Sequence, residues 1–554
     1  MVSNSYKEPK LFKGFEVYWH AMQMSAKMHT YVILLLLLCQ ILIPMLYIWI
    51  FKFELVKLFF QCLFSTRFEF LSVVAKKIFQ TTWVVFVLAT PIWLLYPTLL
   101  RLFKKKAEAI VKDEHLRGSK IVSEDEFLKI IKPTDSNCIH FGKIPVPREV
   151  ENRHFMIVGR PGVGKTTLLN SVIEALRNRG EKAIVYDFKG DYLSTFYDPN
   201  TDVIFNPIDA RCVNWCLFSE IEIMPDIDSI ATSLIPPSYY QDKFWVDAAR
   251  DVFSAILYYL KITGEHTNEA IWSMVSKTEP EMLELMSQAV AQGIEPGKRA
   301  LGYLAGYERG SKVGADVLST MRQYTNCFLY MRHLEGGFSL KRWLDTDGSS
   351  FMFVVNYANL RDTLAPILSL IVDLAMKHIL SMPENISRRR YIIIDEFASL
   401  QRLPTIVQAL EQGRSKGIST WIAMQDIAQI QKKYGLETTN TIANTCGTCV
   451  CFAVADPQSQ EFISRIFGEQ EILETDESLS MGPQDMRDGL SLSRRRKIEK
   501  VILPSQLGNL PDFHFFLKML SYPIVMGKTQ WKSYSKRADA LQMNPIFLLK
   551  KEEV

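Results

Sequence analysis

Residues Gly159 to Thr166 read GRPGVGKT, a G-x-x-x-x-G-K-[ST] loop, and the stretch on either side of it decides the fold. Its glycines let consecutive backbone N–H groups curl round a polyphosphate where a Cβ would intrude. Upstream, His154 to Val158 (HFMIV) is a short apolar run suited to a buried strand. Downstream, Thr166 to Arg179 has helical spacing, with Leu168, Leu169, Val172, Ile173 and Leu176 on one side. A strand, the loop and then a helix whose N-terminus faces the phosphates is the context the motif requires. Gly159, Arg160, Pro161, Gly162, Val163, Gly164, Lys165, Thr166 and Thr167 are therefore the expected nucleotide-binding residues, with Lys165 reaching the β and γ phosphates of ATP and the Thr166 hydroxyl ligating Mg²⁺.

A second stretch completes that reading. Tyr391 to Glu396 (YIIIDE) is an apolar strand running into two acids, where a parallel strand would end and where ligands collect. Asp395 suits the hold on Mg²⁺ and Glu396 the base that polarises the attacking water; the alternative is an N-cap pair for the following helix. Gln425, after the strand Ser419 to Met424, would project at the same edge and orient water or sense the γ phosphate. Arg414 and Lys416 end the intervening helix. Either could neutralise transition-state charge on a neighbouring copy's nucleotide, Arg414 being favoured for its forked guanidinium, or simply complement a helix C-terminus. Asp187 and Lys189 sit at the neighbouring strand end, where they could assist the site, but an ordinary turn is the favoured reading.

Strand signals at 182–188, 350–356, 391–394, 419–424 and 448–455 alternate with helices, which specifies a parallel, doubly wound α/β sheet around the phosphate loop. Between Thr263 and Glu335 helix follows helix, an expected all-α insertion. At the front, Tyr31 to Phe51 is 21 residues without a charge and Thr81 to Leu100 another 20, each able to cross a bilayer of about 30 Å as helix. Arg101, Lys104, Lys105 and Lys106 follow the second span, and the nucleotide site must face ATP, so both termini are expected in the cytoplasm. The expected domains are 1–106 (two spans), 107–262 and 336–554 (nucleotide-binding) and 263–335 (insertion).

The formal charge of +4 over 554 residues excludes a globally basic nucleic-acid binder, so any grip on DNA has to come from local geometry or from assembly of several copies. Among the nine cysteines, Cys446, Cys449 and Cys451 fall in or beside an apolar run with no histidine near, which suits buried thiols.

In this order the two spans, the phosphate loop, the all-α insertion and the acidic strand resemble the type IV secretion coupling proteins, in particular the TraD branch of conjugative DNA transfer. Phrases that carry the likeness are His115-Leu-Arg117-Gly118, Phe244-Trp245 with Ala248-Ala249, Glu411-Gln-Gly413-Arg414-Ser-Lys416-Gly417, Arg487-Asp488-Gly489 with Ser491-Leu-Ser493, and Leu503-Pro504-Ser505 with Leu510-Pro511. The resemblance implies a homo-hexameric, multi-pass ATPase of the bacterial inner membrane. It implies recruitment of relaxase-bound single-stranded DNA and delivery to the type IV secretion channel proteins. A coupling protein for effector proteins without DNA pumping, or a nucleotide-binding receptor scaffold, are the alternatives. The fold the resemblance implies is RecA-like. Arg160 and Val163 stand where relatives usually have small or hydroxyl residues, which leaves the phosphate contacts intact and bears on nucleotide affinity; the chain ends at Val554 without a long acidic tail, so cargo recognition is expected to differ.

Overall fold

A computed structural model describes residues 15–64, 68–102, 114–131, 137–238, 242–306, 311–480 and 489–548. The chain divides into two bodies, residues 1–114 with 472–497, and residues 115–471 with 498–554.

The second body is organised by a ten-stranded sheet. Its strands are β1 (Ile121–Val122), β2 (Phe155–Val158), β3 (Lys182–Asp187), β4 (Val203–Phe205), β5 (Phe351–Val355), β6 (Arg390–Ile394), β7 (Ile418–Met424), β8 (Thr448–Cys451), β9 (His514–Met519) and β10 (Ile524–Lys528). They lie in the order β1-β10-β9-β8-β2-β7-β6-β3-β5-β4. Strands β8 through β4 are all parallel, and β9 runs against both β8 and β10. The sheet is thus mixed where the alternation of elements led to a parallel one, because the antiparallel pair β9–β10 adds to one side of the seven parallel strands.

The parallel strands are apolar along their whole length because helices cover both faces. All of Phe155–Val158 and Phe351–Val355 is buried. Register is set at the centre, where Phe155 pairs with Trp421 and their rings stack at 3.6 Å between centroids. The helix Lys165–Asn178 crosses from β2 to β3 and buries Leu168, Leu169, Val172, Ile173 and Leu176. Arg361–Ser381 crosses from β5 to β6, and Ile406–Lys416 from β6 to β7. Since every parallel strand points the same way, the residues after β2, β3, β6 and β7 meet on one edge.

Between β4 and β5 the described residues add no strand to this sheet. Helices Asn268–Val275, Glu279–Ala291, Glu295–Leu304 and Val313–Thr325 follow Lys243–Thr263, which Gly264 ends in the left-handed conformation. Thr267 opens the first of these by accepting the Ala270 N–H at 3.1 Å.

The first body holds helices Phe15–Phe51, Phe53–Phe64 and Phe68–Leu88. The expected span 81–100 is not one α-helix. The helix ends at Leu88, and Thr90–Leu95 is a 3₁₀ turn with Pro91 near its start, since proline offers no N–H to continue the ladder. Exposed Leu34, Leu35, Leu38, Ile41 and Leu42 form an apolar surface of the kind a bilayer solvates. Trp93 Nε1 donates to Gln40 Oε1 at 2.8 Å, giving the polar amide of the first helix a partner. The basic run Lys104 to Lys106 and the Arg487-Asp488 phrase lie outside the described residues.

Candidate active site

The loop after β2 sits at the carboxyl edge, and its backbone is fixed by the sheet. Gly159 N–H donates to Met424 O at 3.2 Å and Arg160 N–H to Ala453 O at 2.8 Å. Val163 turns its side chain into the core. Gly162 and Gly164 have φ of +82° and +114°, which only glycine adopts at little cost, and a Cβ at Gly162 would project into open space. The cleft beside the loop, about 260 Å³, is lined by Pro161, Gly162, Gly164, Lys165, Thr166 and Thr167. Gly159, Arg160 and Val163 do not line it, and the Arg160 side chain points to the surface pair with Asp512 at 3.3 Å.

Facing the loop, Asp395 and Glu396 leave the end of β6 and Gln425 the end of β7. Lys165 is buried, and its Nζ donates to Arg160 O at 3.1 Å and to Gly159 O. Burial pushes its pKa down, while Glu396 and Asp395 oppose that. Burial pushes the Asp395 carboxyl up, against the Tyr192 hydroxyl that donates to its Oδ1 at 2.8 Å and the nearby Lys165. Glu396 is likewise raised by burial, countered by hydrogen bonding to Gln425 and by Lys165. Its Oε1 is buried without a protein partner.

Backbone placement of Glu396 comes from a relay across two strands. Ser399 Oγ donates to Glu396 O at 2.7 Å, lies 2.7 Å from the Tyr186 hydroxyl, and Asn356 Nδ2 donates to Tyr186 at 3.2 Å. Tyr192 touches both Asp395 and Thr166, so one phenol spans the two expected Mg²⁺ groups. Asp187 does not reach the cleft. It accepts from the N–H groups of Lys189, Gly190 and Leu193 at 3.2, 2.8 and 2.9 Å, which makes it the anchor of the following turn. Lys189 and Phe188 do line the cleft.

Arg414 is exposed at the end of its helix, beside the start of β7. The seven residues of β7 separate that edge from Gln425, about 20 Å of extended chain, so Arg414 and Lys416 are not gathered with the other site residues of the same copy.

Phe188, Asp191, Phe513 and Trp531 line the cleft without having been singled out from the sequence, and the last two come from far along the chain. Because β9 begins and β10 ends at the carboxyl edge, Phe513 and Trp531 arrive beside the phosphate loop. Phe513 N–H donates to Val163 O at 2.8 Å, and its φ of +64° is a conformation a bulky side chain rarely takes. Nothing near 513 or 531 resembles a nucleotide motif, and only the antiparallel hairpin brings them there.

The profile of the type IV secretion-system coupling protein DNA-binding domain matches residues 138–526. Coupling protein TraD of Escherichia coli K12 is 26% identical over 410 residues, covering 72% of this chain and 56% of TraD. A conjugal transfer protein TraG of Escherichia coli is 20% identical over 337 residues, 54% of this chain and 53% of TraG. The chain thus spans about half the length of the curated relatives it matches. Among solved structures, the conjugative coupling protein TrwBdeltaN70 in its unbound form aligns with a TM-score of 0.69 at 26% identity, covering 78% of this chain and 97% of that one. TrwB in complex with ADP and Mg²⁺ aligns at 0.68 and 25% identity, covering 78% and 98%. With that match and the RecA-like P-loop architecture it accompanies, the chain belongs to the type IV secretion-system coupling proteins.

Proposed function

We propose that the chain is a membrane-anchored coupling ATPase that uses ATP hydrolysis to drive relaxase-bound single-stranded DNA into a type IV secretion channel. One observation carries this: Lys165, Thr166, Asp395, Glu396 and Gln425, from three separate strand ends, share one cleft in which the buried Oε1 of Glu396 has no protein partner. A buried carboxylate oxygen left so is costly unless a ligand or water completes it.

The residues fit a Mg²⁺-bound triphosphate. The N-terminus of the helix Lys165–Asn178 has no side-chain cap, which leaves its first N–H groups for phosphate oxygens. Lys165, now on loop carbonyls, would exchange them for the β and γ oxygens. Thr166 and Asp395 would hold Mg²⁺, which characteristically takes one or two protein groups with phosphates and water supplying the rest. When bound, the ion neutralises charge on the β and γ phosphates. Glu396, its proton affinity raised by burial, accepts a proton from the water that attacks the γ phosphorus, and Gln425 orients that water. TrwB bound to ADP and Mg²⁺ and to a non-hydrolysable ATP analogue supports the nucleotide assignment.

Arg414 can serve only a neighbouring copy's nucleotide, which fits a ring of six copies. The apolar segments Ser25–Phe51, one helix, and Phe70–Leu102, a helix continued through the 3₁₀ turn, are long enough to anchor such a ring in the inner membrane, with both termini cytoplasmic. The test is ATP hydrolysis by the full chain in lipid, with and without single-stranded DNA, and with Lys165→Ala as control. Stimulation by the strand supports the proposal, and no hydrolysis under either condition ends it.

A further inference from the structure

A second cavity, about 480 Å³, opens on the same edge of the sheet and is more strongly charged than anything the overall composition suggests. It is lined by Arg361, Arg402, Lys432 and Lys433 against a single acid, Asp362. The excess of three positive charges in one groove compares with a formal +4 for the whole chain. Arg361 and Lys432 form no salt bridge among the described residues; Arg361 lies over the Phe188 ring at 4.7 Å and its field reaches Glu396, while Lys432 is exposed. Arg361 opens the 21-residue helix Arg361–Ser381, whose N-terminus carries no side-chain cap and adds its own positive end to the groove. Tyr324 and the prolines 236 and 237 form an apolar wall.

We infer that this groove binds the phosphodiester backbone of single-stranded nucleic acid. The inference deepens the function proposed above and rests on it. Cations that no carboxylate salt bridge neutralises, set along a groove beside an aromatic side chain, are the features a strand-binding groove needs. The groove is wired to the nucleotide cleft through one segment. Glu396 faces the cleft, and Ala398 to Arg402, immediately after it, form the groove floor. Lys433 Nζ donates to Ala398 O at 2.7 Å and to Leu400 O, and Arg402 Nη1 to Pro237 O at 3.1 Å, so a strand that pulls on these cations moves the segment bearing the base.

The test is binding of a dye-labelled oligothymidylate to the full chain in detergent micelles, followed by fluorescence anisotropy at several salt concentrations. Lys432→Glu is expected to weaken binding about tenfold, and Lys432→Gln to lower the salt slope by about 0.7, the share of one single-strand phosphate contact. Arg402→Ala is expected to reduce the stimulation of ATP hydrolysis by the strand. Thermal unfolding of each preparation identifies a misfolded variant, and because Lys432 is exposed, its Gln variant keeps the test available if the Glu variant fails to fold. Unchanged affinity and slope in both Lys432 variants, with the parent chain binding normally, overturns the groove alone. Equal binding of a duplex, or competition by polyglutamate as effective as by the oligonucleotide, overturns the single-strand assignment. If the parent chain binds no oligonucleotide, the DNA-pump reading and the groove fall together.

Discussion

The two edges of the central sheet are equally rich in buried charge and use it in opposite ways. At the amino edge the buried carboxylate Glu151 is fully engaged by protein groups, although Arg179 Nη2 and Arg389 Nη1 are buried without a partner among the described residues. Glu151 takes Arg179 Nη1 at 2.9 and 3.0 Å and the Tyr391 hydroxyl at 2.6 Å, while its backbone carbonyl accepts from Ser419. Arg390 donates to Leu344 O at 3.2 and 3.3 Å. At the carboxyl edge Lys165 is held only by carbonyls of its own loop, and Glu396 keeps a buried oxygen without partner. The proposed function puts a nucleotide at the second edge and none at the first, so mutations should divide the same way: stability on one side, chemistry on the other.

The sharpest test is Glu396→Gln. Loss of the base should lower hydrolysis about 10²- to 10⁴-fold while nucleotide binding persists, and Tm should hold or rise because a buried charge is removed. A marked loss of stability would erase the contrast between the edges. Conversely, Arg179→Met leaves Glu151 charged and buried, which should cost about 3–5 kcal/mol in chemical denaturation with turnover per folded molecule unchanged. Hydrolysis lost in proportion to Glu396→Gln would place the amino edge in the catalytic machinery.

A smaller effect appears with pH. His154 immediately precedes β2, is almost fully buried with φ of +58°, and its Nδ1 accepts the Thr420 N–H at 3.2 Å. Burial lowers its pKa from 6.5 to about 4. Between those values the unfolded chain binds more protons than the folded one, so stability falls as pH drops through that window, by about 3 kcal/mol in all from this site. His154→Asn, which tolerates the left-handed backbone, should flatten that part of the stability-against-pH curve; an unchanged slope would assign acid sensitivity to other groups.

Tyr186→Phe breaks the relay to the Glu396 carbonyl and leaves Asn356 and Ser399 short of a partner. It should cost about 1–2 kcal/mol of stability and lower kcat several-fold without a matching rise in KM. Equal changes in kcat and KM would show that the relay does not position the base. Least affected should be Arg160→Ala, since the exposed pair with Asp512 contributes under about 1 kcal/mol, and a larger shift in a thermal scan would give Arg160 a role the geometry does not.

The phosphate loop, the acidic strand end and the strand–helix alternation were legible because each is written in consecutive residues with its own periodicity. Apolar length was less informative. The helix Arg361–Ser381 is long and apolar enough to span a bilayer, yet most of it is buried inside the second body, whereas the apolar segment Phe70–Leu102 is not buried. A helix covered by protein and one surrounded by lipid present the same composition. Pro91 marked a break that the uncharged run around it concealed.

From residues alone came the class of chemistry: a glycine-spaced loop before a helix, and acids after an apolar run, impose their geometry within a few bonds of themselves. Which residues share the cleft, that Asp187 serves the backbone while Tyr192 spans Thr166 and Asp395, that Phe513 and Trp531 reach the loop, and that four cations converge on one groove were decided only by the folded sheet. Strand order and direction place segments hundreds of residues apart side by side, and no local pattern encodes that proximity.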